Sequence, residues 1–330
     1  MKLSKVGFLA ALMVGFVLPS YAQEDQAVHL LPTMSSQSTV ANQAWVGAFQ
    51  LVWNDATDTL GQIVQAPDKS QTVVEELNEK SFTSKELSES AYYNKHGRNT
   101  PKLKQTIETG IQEKFGEGSQ ILGNLEWDGS GYVFYSMLKK DFEFEQEFDD
   151  MGKDDFGKQG VEVEYFGATK LPLMKTVYPL FYNTKQDFAV RLQSKQNDEV
   201  YLFRTEEEGT LQELYNLMQE KMATWKDGHN IDKGDTFKAP KIHFETERNF
   251  EEVEGVKFQS GDIITSALEN LKFNMDKAGV EVKAEAVMSL TRGIVMNWHF
   301  DFTGRYVIFI QEQGKKPYFA LLVEDPTKLQ

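Results

Sequence analysis

The sequence predicts an α+β fold, because helical patterns lead the chain and short alternating strands dominate its second half. Segments 70–92 and 100–115 carry apolar residues at the spacing of amphipathic helices. From residue 131 onward the chain changes to short aromatic runs in which apolar and polar residues alternate. No repeat is evident, and no linker rich in proline, glycine or serine divides the chain, so one domain is expected.

The first 22 residues, "MKLSKVGFLAALMVGFVLPSYA", predict a secretory signal peptide. A short basic start with Lys2 and Lys5 precedes the apolar run 6–18, which is too short to cross a bilayer comfortably. Small residues before position 23 suit cleavage there. A membrane anchor is the alternative, and it is disfavoured because no second apolar span follows.

The domain organisation follows from this signal. Residues 23–43 are polar and predict a flexible mature start, and 44–330 are expected to form the single domain. The mature protein is therefore expected to be secreted or periplasmic, without membrane attachment once the signal is cleaved.

Composition limits the partners and the means of stabilisation. The 330 residues include no cysteine, so an exported chain must be held together by its core, to which 23 phenylalanines contribute. The formal net charge of −15 argues against nucleic acid or an anionic membrane as the main partner. The charge suits either solubility or a basic partner, and solubility is favoured. A monomer is expected.

The helices are predicted in chain order. The block 44–55 has helical spacing, and Asn54 with Asp55 could end it. In 100–115, Thr100 is a candidate N-cap followed by Pro101 in the first turn. Later helices are predicted at 209–225 and 262–272.

Strands are predicted from short apolar or alternating runs bounded by turn residues. These runs occupy 131–138, 142–148, 161–166, 177–182, 187–193, 199–204, 237–247 and 271–275. The closing stretch "YVIFIQEQGKKPYFALLVEDP" predicts a hairpin of two buried strands around residues 313–316.

The sequence gives little support for catalysis. Its five histidines are scattered without metal-ligand spacing, and no GxSxG elbow is present. The acidic run 149–157 could be a cation loop, but it lacks the EF-hand order of ligands, and a solvated acidic turn is favoured. We expect no enzyme, no cofactor and no metal. A hydrolase using a carboxylate pair is the weakest of the functions considered.

Within the stretch "KAGVEVKAEAVMSLTRGIV" (277–295), residues 280–286, directly after Gly279, alternate between apolar and charged side chains. Taken alone, it predicts the second arm of a hairpin with 271–275, joined at 276–279.

Several segments, read in order, resemble the serpin family, most clearly over 199–327. These are "EVYLFRTEEEGTLQELYNLMQEK" (199–221), "FKAPKIHFETERNFEEVEG" (237–255), "ALENLKFNMDKAGVEVKAEA" (267–286) and "FDFTGRYVIFIQEQGKKPYFALLVEDPT" (300–327). The resemblance implies a serpin-like α+β fold, with N-terminal helices packed on a large central mixed β-sheet beside smaller sheets.

The resemblance also implies a function. A serpin exposes a reactive loop, here at about 279–300, as bait for a protease, which becomes trapped when the cut loop inserts into a sheet as a new strand. Gly279 would be the hinge of this loop. The residues facing inward after insertion would be apolar: Val280, Val282, Ala284 and Ala286.

The same resemblance locates the scissile bond near 292–294. Arg292–Gly293 is the preferred bond, since Arg292 suits the acidic pocket of a trypsin-like protease, and Gly293–Ile294 is the alternative. The expected partner is thus a serine protease, or else a cysteine protease. A non-inhibitory serpin-fold protein that binds a partner or serves as a structural module is the alternative function.

Overall fold

A computed structural model describes residues 27–157, 160–226, 230–277 and 297–330. Elements are numbered in chain order. The helices of the described residues are α1 (Ala48–Leu60), α2 (Gln71–Asn78), α3 (Pro101–Phe115), α4 (Leu171–Met174) and α5 (Leu211–Thr224).

A seven-stranded mixed sheet forms the largest layer. Its strands, in spatial order, are β1 (His29–Leu30), β2 (Gln43–Val46), β17 (Pro317–Val323), β16 (Tyr306–Glu312), β10 (Asp198–Arg204), β9 (Asp187–Gln193) and β8 (Val177–Thr184). The β1–β2 pair is parallel and the other pairs are antiparallel. The predicted C-terminal hairpin is confirmed as β16 and β17, in which every residue is buried.

A four-stranded sheet lies beside it. Its order is β15 (His299–Asp301), β11 (Thr236–Pro240), β7 (Val161–Ala168) and β6 (Asp149–Phe156). Three strand pairs complete the sheets: β4 (Tyr92–Arg98) with β5 (Tyr132–Leu138), β12 (Ile242–Asn249) with β14 (Leu268–Met275), and β3 (Ile63–Gln65) with β13 (Lys257–Phe258). This architecture confirms the predicted α+β fold with a large mixed sheet and smaller sheets.

One large apolar core joins these layers and includes side chains of α1, α2 and α5. Aromatic rings fill the space between the two larger sheets. The ring centroid of Phe237 on β11 lies 5.2 Å from that of Phe148 and 6.1 Å from that of Phe302. The ring centroid of Phe188 on β9 lies 5.0 Å from that of Phe302. These phenylalanines therefore contribute to the core that holds together a chain without cysteine.

Helix ends follow the sequence signals. Thr100 caps α3 by accepting a hydrogen bond from the amide of Leu103 at 3.3 Å, as predicted. Thr210 caps α5 in a capping box with Glu213. The start of the chain differs from the prediction, because α1 begins only at Ala48, after strand β2, and continues past Asn54 and Asp55.

Other segments also differ from the elements that the sequence predicts. The segment 142–148 is not a regular strand, although Phe144 forms an isolated bridge with Ser194. The acidic run expected as a turn is the edge strand β6. The single strand predicted at 237–247 is divided into β11 and β12, which belong to different sheets. The helix predicted at 262–272 is replaced by strand β14 and the extended chain before it.

The N-terminal residues also pack more closely than the flexible start predicted for 23–43. Within the described part of that stretch, Val28, Leu30 and Leu31 are buried in the large core. Leu30 lies on β1, which pairs with β2. The folded domain therefore includes residues before position 44.

Candidate functional site

Most of the predicted reactive segment, 279–296, lies outside the described residues, whereas its last residues, 297–300, are described and enter strand β15. The gap covers 278–296, and with it the hinge and insertion residues Gly279, Val280, Val282, Ala284 and Ala286 and the bond residues Arg292, Gly293 and Ile294. The structure does describe the chain on either side of the gap, and these two ends define the candidate site.

The first end leaves β14 and is held against the start of β6. Met275, the last residue of β14, pairs with Ile242 of β12. Two residues later, the carbonyl of Lys277 accepts a hydrogen bond from the amide of Phe148 at 3.1 Å. The Lys277 ammonium lies 3.0 Å from the carboxylate of Glu147, which raises the pKa of the lysine. This ion pair is largely solvent-exposed and contributes little to stability, so the backbone bond is the firmer part of the anchor.

The second end enters β15 through a buried carboxylate. Asp235 is fully buried and accepts hydrogen bonds from the amides of Trp298 and Asp232, both at 2.8 Å. The carbonyl of Trp298 accepts from the amide of Thr236 at 3.0 Å. Its indole stacks on Tyr182, with ring centroids 4.8 Å apart and planes 14° apart.

Both ends contact the four-stranded sheet, since Lys277 accepts a hydrogen bond from Phe148 directly before β6 and Trp298 directly precedes β15. Asp149 of β6 pairs with Gly167 of β7, Gly167 with Lys238 of β11, and Lys238 with Asp301 of β15. The two anchors therefore lie near opposite edges of the four-stranded sheet, about 15 Å apart at the usual strand spacing.

The edge of strand β14 completes the candidate site. Among the described residues, β14 pairs with β12 alone, over eight residue pairs. Along β14 the buried residues Glu269, Leu271 and Met275 alternate with the exposed residues Lys272 and Asn274. A strand added to the other edge of β14 would have to follow the same period of two.

No family model and no characterised protein matches the sequence of this chain. Solved structures do match it in fold. Human glycosylated kallistatin is 13% identical, with a TM-score of 0.52 over 86% of this chain and 92% of that chain. The chain has the serpin fold.

Two further serpin-fold structures match less closely. Serpin48, a highly specific serpin of the insect Tenebrio molitor, is 14% identical, with a TM-score of 0.47 over 86% of this chain and 92% of that chain. Thyroxine-binding globulin in complex with thyroxine is 12% identical, with a TM-score of 0.45, and covers 68% of this chain. The present chain spans 65% of that globulin.

The segments that resemble serpins map onto regular elements of this serpin fold. The segment 199–221 forms β10 and α5, and 237–255 forms β11, β12 and a 3₁₀ turn. The segment 300–327 begins in β15 and contains the hairpin of β16 and β17. The remaining segment, 267–286, contains β14 and then passes out of the described residues.

A buried acid on β14 is a feature that the sequence reasoning missed. Glu269 is buried, and one of its oxygens accepts a hydrogen bond from the amide of Phe49, in the first turn of α1, at 3.1 Å. Burial raises the pKa of Glu269 to about 8, although the Phe49 amide and Arg248 act in the opposite direction. The signal was present in "ALENLKFNM", where a glutamate occupies the same alternating phase as Leu271 and Met275.

Among the described residues, the remaining candidate groups do not assemble into a metal site. In the described ranges, no group of three or more histidine and acidic side chains could hold a metal ion. His243 is exposed on β12, and His299 shares a 2.9 Å hydrogen bond with Thr236. The acidic strand β6 is matched by lysines instead, since Lys241 lies 3.0 Å from Asp150 and Lys238 pairs with Asp154.

Within the described part of the chain, no helix is long and apolar enough to cross a membrane.

Proposed function

We propose that the protein is a secreted or periplasmic serpin-type protease inhibitor that acts as a suicide substrate through residues at about 279–300. One observation carries the proposal: among the described residues, β14 pairs only with β12, and the chain leaves β14 directly into the proposed reactive segment. A chain that turns back at Gly279 would run antiparallel to β14, along the edge that has no described partner. Strand addition at such an edge supplies a full row of backbone hydrogen bonds.

The side-chain pattern supports insertion beside β14. In the proposed strand, Val280, Val282, Ala284 and Ala286 would extend the buried face on which Leu271 and Met275 lie. The intervening residues Glu281, Lys283 and Glu285 would face solvent.

The distance between the anchors also fits. The gap of 19 residues could span up to about 65 Å if extended, whereas the anchors lie near opposite edges of one four-stranded sheet. The segment is therefore long enough to reach a protease before cleavage. After cleavage, the part joined to Lys277 is long enough to cover the eight residues of β14.

The proposed chemistry begins as ordinary proteolysis. The protease serine attacks the carbonyl carbon of Arg292, the peptide bond to Gly293 breaks, and an ester joins Arg292 to the enzyme while Gly293 leaves with a new amine. A cysteine protease would form a thioester in the same way. Insertion of the cut strand would then carry the acyl-enzyme away from its point of attack and distort it before water releases it. Cleavage at Gly293–Ile294 is the alternative.

A non-inhibitory serpin-fold protein is the second candidate. Val280 and Val282 are β-branched and favour strand pairing, so the segment could pair with β14 without being cut. In that case Arg292 would be an ordinary arginine, and the protein would bind a partner or serve as a structural module without trapping a protease.

The proposed function implies a processing step, a domain organisation and a partner. Residues 1–22 would be removed on export, and the rest would act as a monomeric single domain that needs no cofactor or metal. The partner would be a protease, with trypsin-like specificity if Arg292 is the residue cut.

The decisive experiment mixes the mature protein with trypsin and resolves the products on a denaturing gel. We expect an SDS-stable complex at the summed mass. Arg292→Ala should abolish the complex with trypsin, whereas Arg98→Ala, at an exposed arginine on β4, should leave it unchanged. Complete cleavage near Arg292 without any complex would reject the inhibitor in favour of the second candidate.

A further inference from the structure

A polar cleft of about 410 Å³ lies on another part of the molecule from the two anchors. Three elements line it: the N-terminal segment around His29, the start of α2 with Lys69 before it, and the end of β12 with Arg248. Clefts of this size that gather polar groups and a residue with a shifted pKa are the usual candidates for small-molecule sites.

Arg248 lines the cleft and is held in place by three contacts. Its guanidinium donates to the carbonyl of Leu30, lies 2.9 Å from the carboxylate of Glu252, and stacks 5.2 Å from the ring centroid of Phe250. These contacts hold the group in one orientation, and a guanidinium has five N–H donors, so two bonded acceptors leave others for a ligand. Lys69 adds a second cation, donating to the carbonyl of Glu251 at 2.6 Å.

The carboxylates of the cleft are already engaged by donors. Glu76 accepts hydrogen bonds from the hydroxyls of Thr33 at 2.6 Å and Ser36 at 3.1 Å. Glu252 is paired with Arg248. The acids therefore position the walls of the cleft, while the cations retain hydrogen-bonding capacity for an incoming group.

His29 supplies a neutral polar group between these charges. It alternates on β1 with the buried Leu30, so its imidazole faces the cleft. Burial, and secondarily the charge of Arg248, lower its pKa to about 4. At neutral pH the ring is therefore uncharged and can donate one hydrogen bond and accept another.

We propose that this cleft binds a small organic acid, whose carboxylate lies against Arg248 and Lys69 and is hydrogen-bonded by His29. A carboxylate matches the guanidinium geometry of Arg248 and carries the charge opposite to those of Arg248 and Lys69. The cleft volume of about 410 Å³ is sufficient for a small organic acid.

Ligand binding would also change the protonation of Glu269 on β14. Arg248 of β12 is the direct cross-strand partner of Glu269 of β14, and its charge acts on that buried carboxyl. An anion on Arg248 would offset this charge and favour the protonated form of Glu269. The site thus reaches the strand from which the proposed reactive segment leaves, although binding itself does not depend on protease inhibition.

Succinate is a suitable probe, with uncharged succinamide as its matched control at constant ionic strength. Histidine ring signals are followed by NMR through a pH titration, and His29→Gln assigns the signal. Succinate should raise the pKa of His29 by about one unit or more in a saturable manner, because a nearby anion favours imidazolium. Succinamide should have no such effect.

Lys69→Gln is the main variant, because Lys69 is exposed and its substitution is expected to leave the fold intact. It should weaken succinate binding about tenfold, as expected when a charge-assisted bond of about 1.4 kcal/mol is lost. Lys95→Gln, at an exposed lysine on β4, should bind as the parent does. The site is rejected if succinate leaves the His29 titration unchanged, if succinamide is equally effective, or if the two lysine variants behave alike.

Discussion

At the residue scale, Glu269 makes the free energy of unfolding depend on pH. Its carboxyl is buried at the start of α1, and its second oxygen has no hydrogen-bond partner in the structure. Water solvates this group in the unfolded chain, where its pKa is near 4.5, whereas burial raises the pKa to about 8 in the folded protein. Folding therefore takes up a proton at every pH between these two values.

The stabilisation that this proton provides is complete below about pH 4.5 and is lost as the pH rises toward 8. Glu269→Gln keeps the shape and the acceptor for the Phe49 amide but cannot ionise. Between pH 5 and 8 we expect the free energy of unfolding of the parent to fall by roughly 3–5 kcal/mol relative to that of Glu269→Gln. Urea unfolding at a series of pH values measures this difference.

The control for this prediction is Glu245→Gln, at an exposed glutamate on β12. It should keep the pH dependence of the parent. The comparison has to be made between variants, because His29, with its pKa lowered to about 4, contributes an opposite slope below pH 6.5. If the parent and Glu269→Gln lose stability in parallel from pH 5 to 8, Glu269 is already ionised in the folded state.

At the scale of elements, the close contact between β7 and β11 at the centre of the four-stranded sheet is the most sensitive place. A Cβ added to Gly167 would lie 2.0 Å from the backbone carbonyl oxygen of Phe237, so the two strands would have to separate. We expect Gly167→Ala to lower the free energy of unfolding by about 3 kcal/mol. It should also weaken complex formation with trypsin, since both anchors of the proposed reactive segment depend on this sheet.

Gly123→Ala provides the matched control. A Cβ there meets no atom within 4 Å, and its backbone is not in the left-handed region. Chemical denaturation of both variants should show a loss for Gly167→Ala only. Equal stabilities would mean that β7 and β11 are farther apart than the structure has them.

The sequence predicted elements well wherever local pattern decides the outcome. The cap at Thr100 and the C-terminal hairpin depend on neighbouring residues, and both predictions are confirmed. The aromatic alternation of 142–148 was misleading, because Phe144 and Phe148 pack into the ring cluster where the chain passes from one sheet to another. Alternation with a period of two shows which side chains share one face of an extended segment. It does not show whether the backbone of that segment is hydrogen-bonded to a neighbouring strand.

Long-range pairing explains the other differences. The acidic run 149–157 forms a strand because Lys238 and Lys241 of distant segments offset its charge. Glu269 could be predicted as part of an alternating run, but its unusual pKa depends on the position of α1. For the candidate site, the sequence predicts the segment, and the structure describes the chain on either side of it.

At the scale of the whole molecule, the two interpretations of the proposed segment differ in when the strand joins β14. If cleavage releases it for insertion, the cut protein gains a strand and should melt at least about 5 °C higher than the intact protein, since each kcal/mol is worth 2–4 °C in a domain of this size. If the segment is already paired as a hairpin, the melting temperature should not rise on cleavage. Differential scanning calorimetry before and after limited proteolysis measures the change.

Ala284→Glu separates these interpretations further. Burying the new carboxylate would destabilise only the cleaved protein under insertion, but already the intact protein under the hairpin. Insertion would bury the new carboxylate only after cleavage, so the intact variant should melt like the parent, fail to gain stability when cut, and become a plain substrate of trypsin. A hairpin would bury the carboxylate from the outset, so the intact variant itself would be destabilised. Glu285→Gln changes a neighbouring residue that faces outward in both cases and should behave as the parent does. A variant that gains the full stability on cleavage despite a glutamate at 284 would contradict the proposed inward face, and with it the insertion mechanism built on that face.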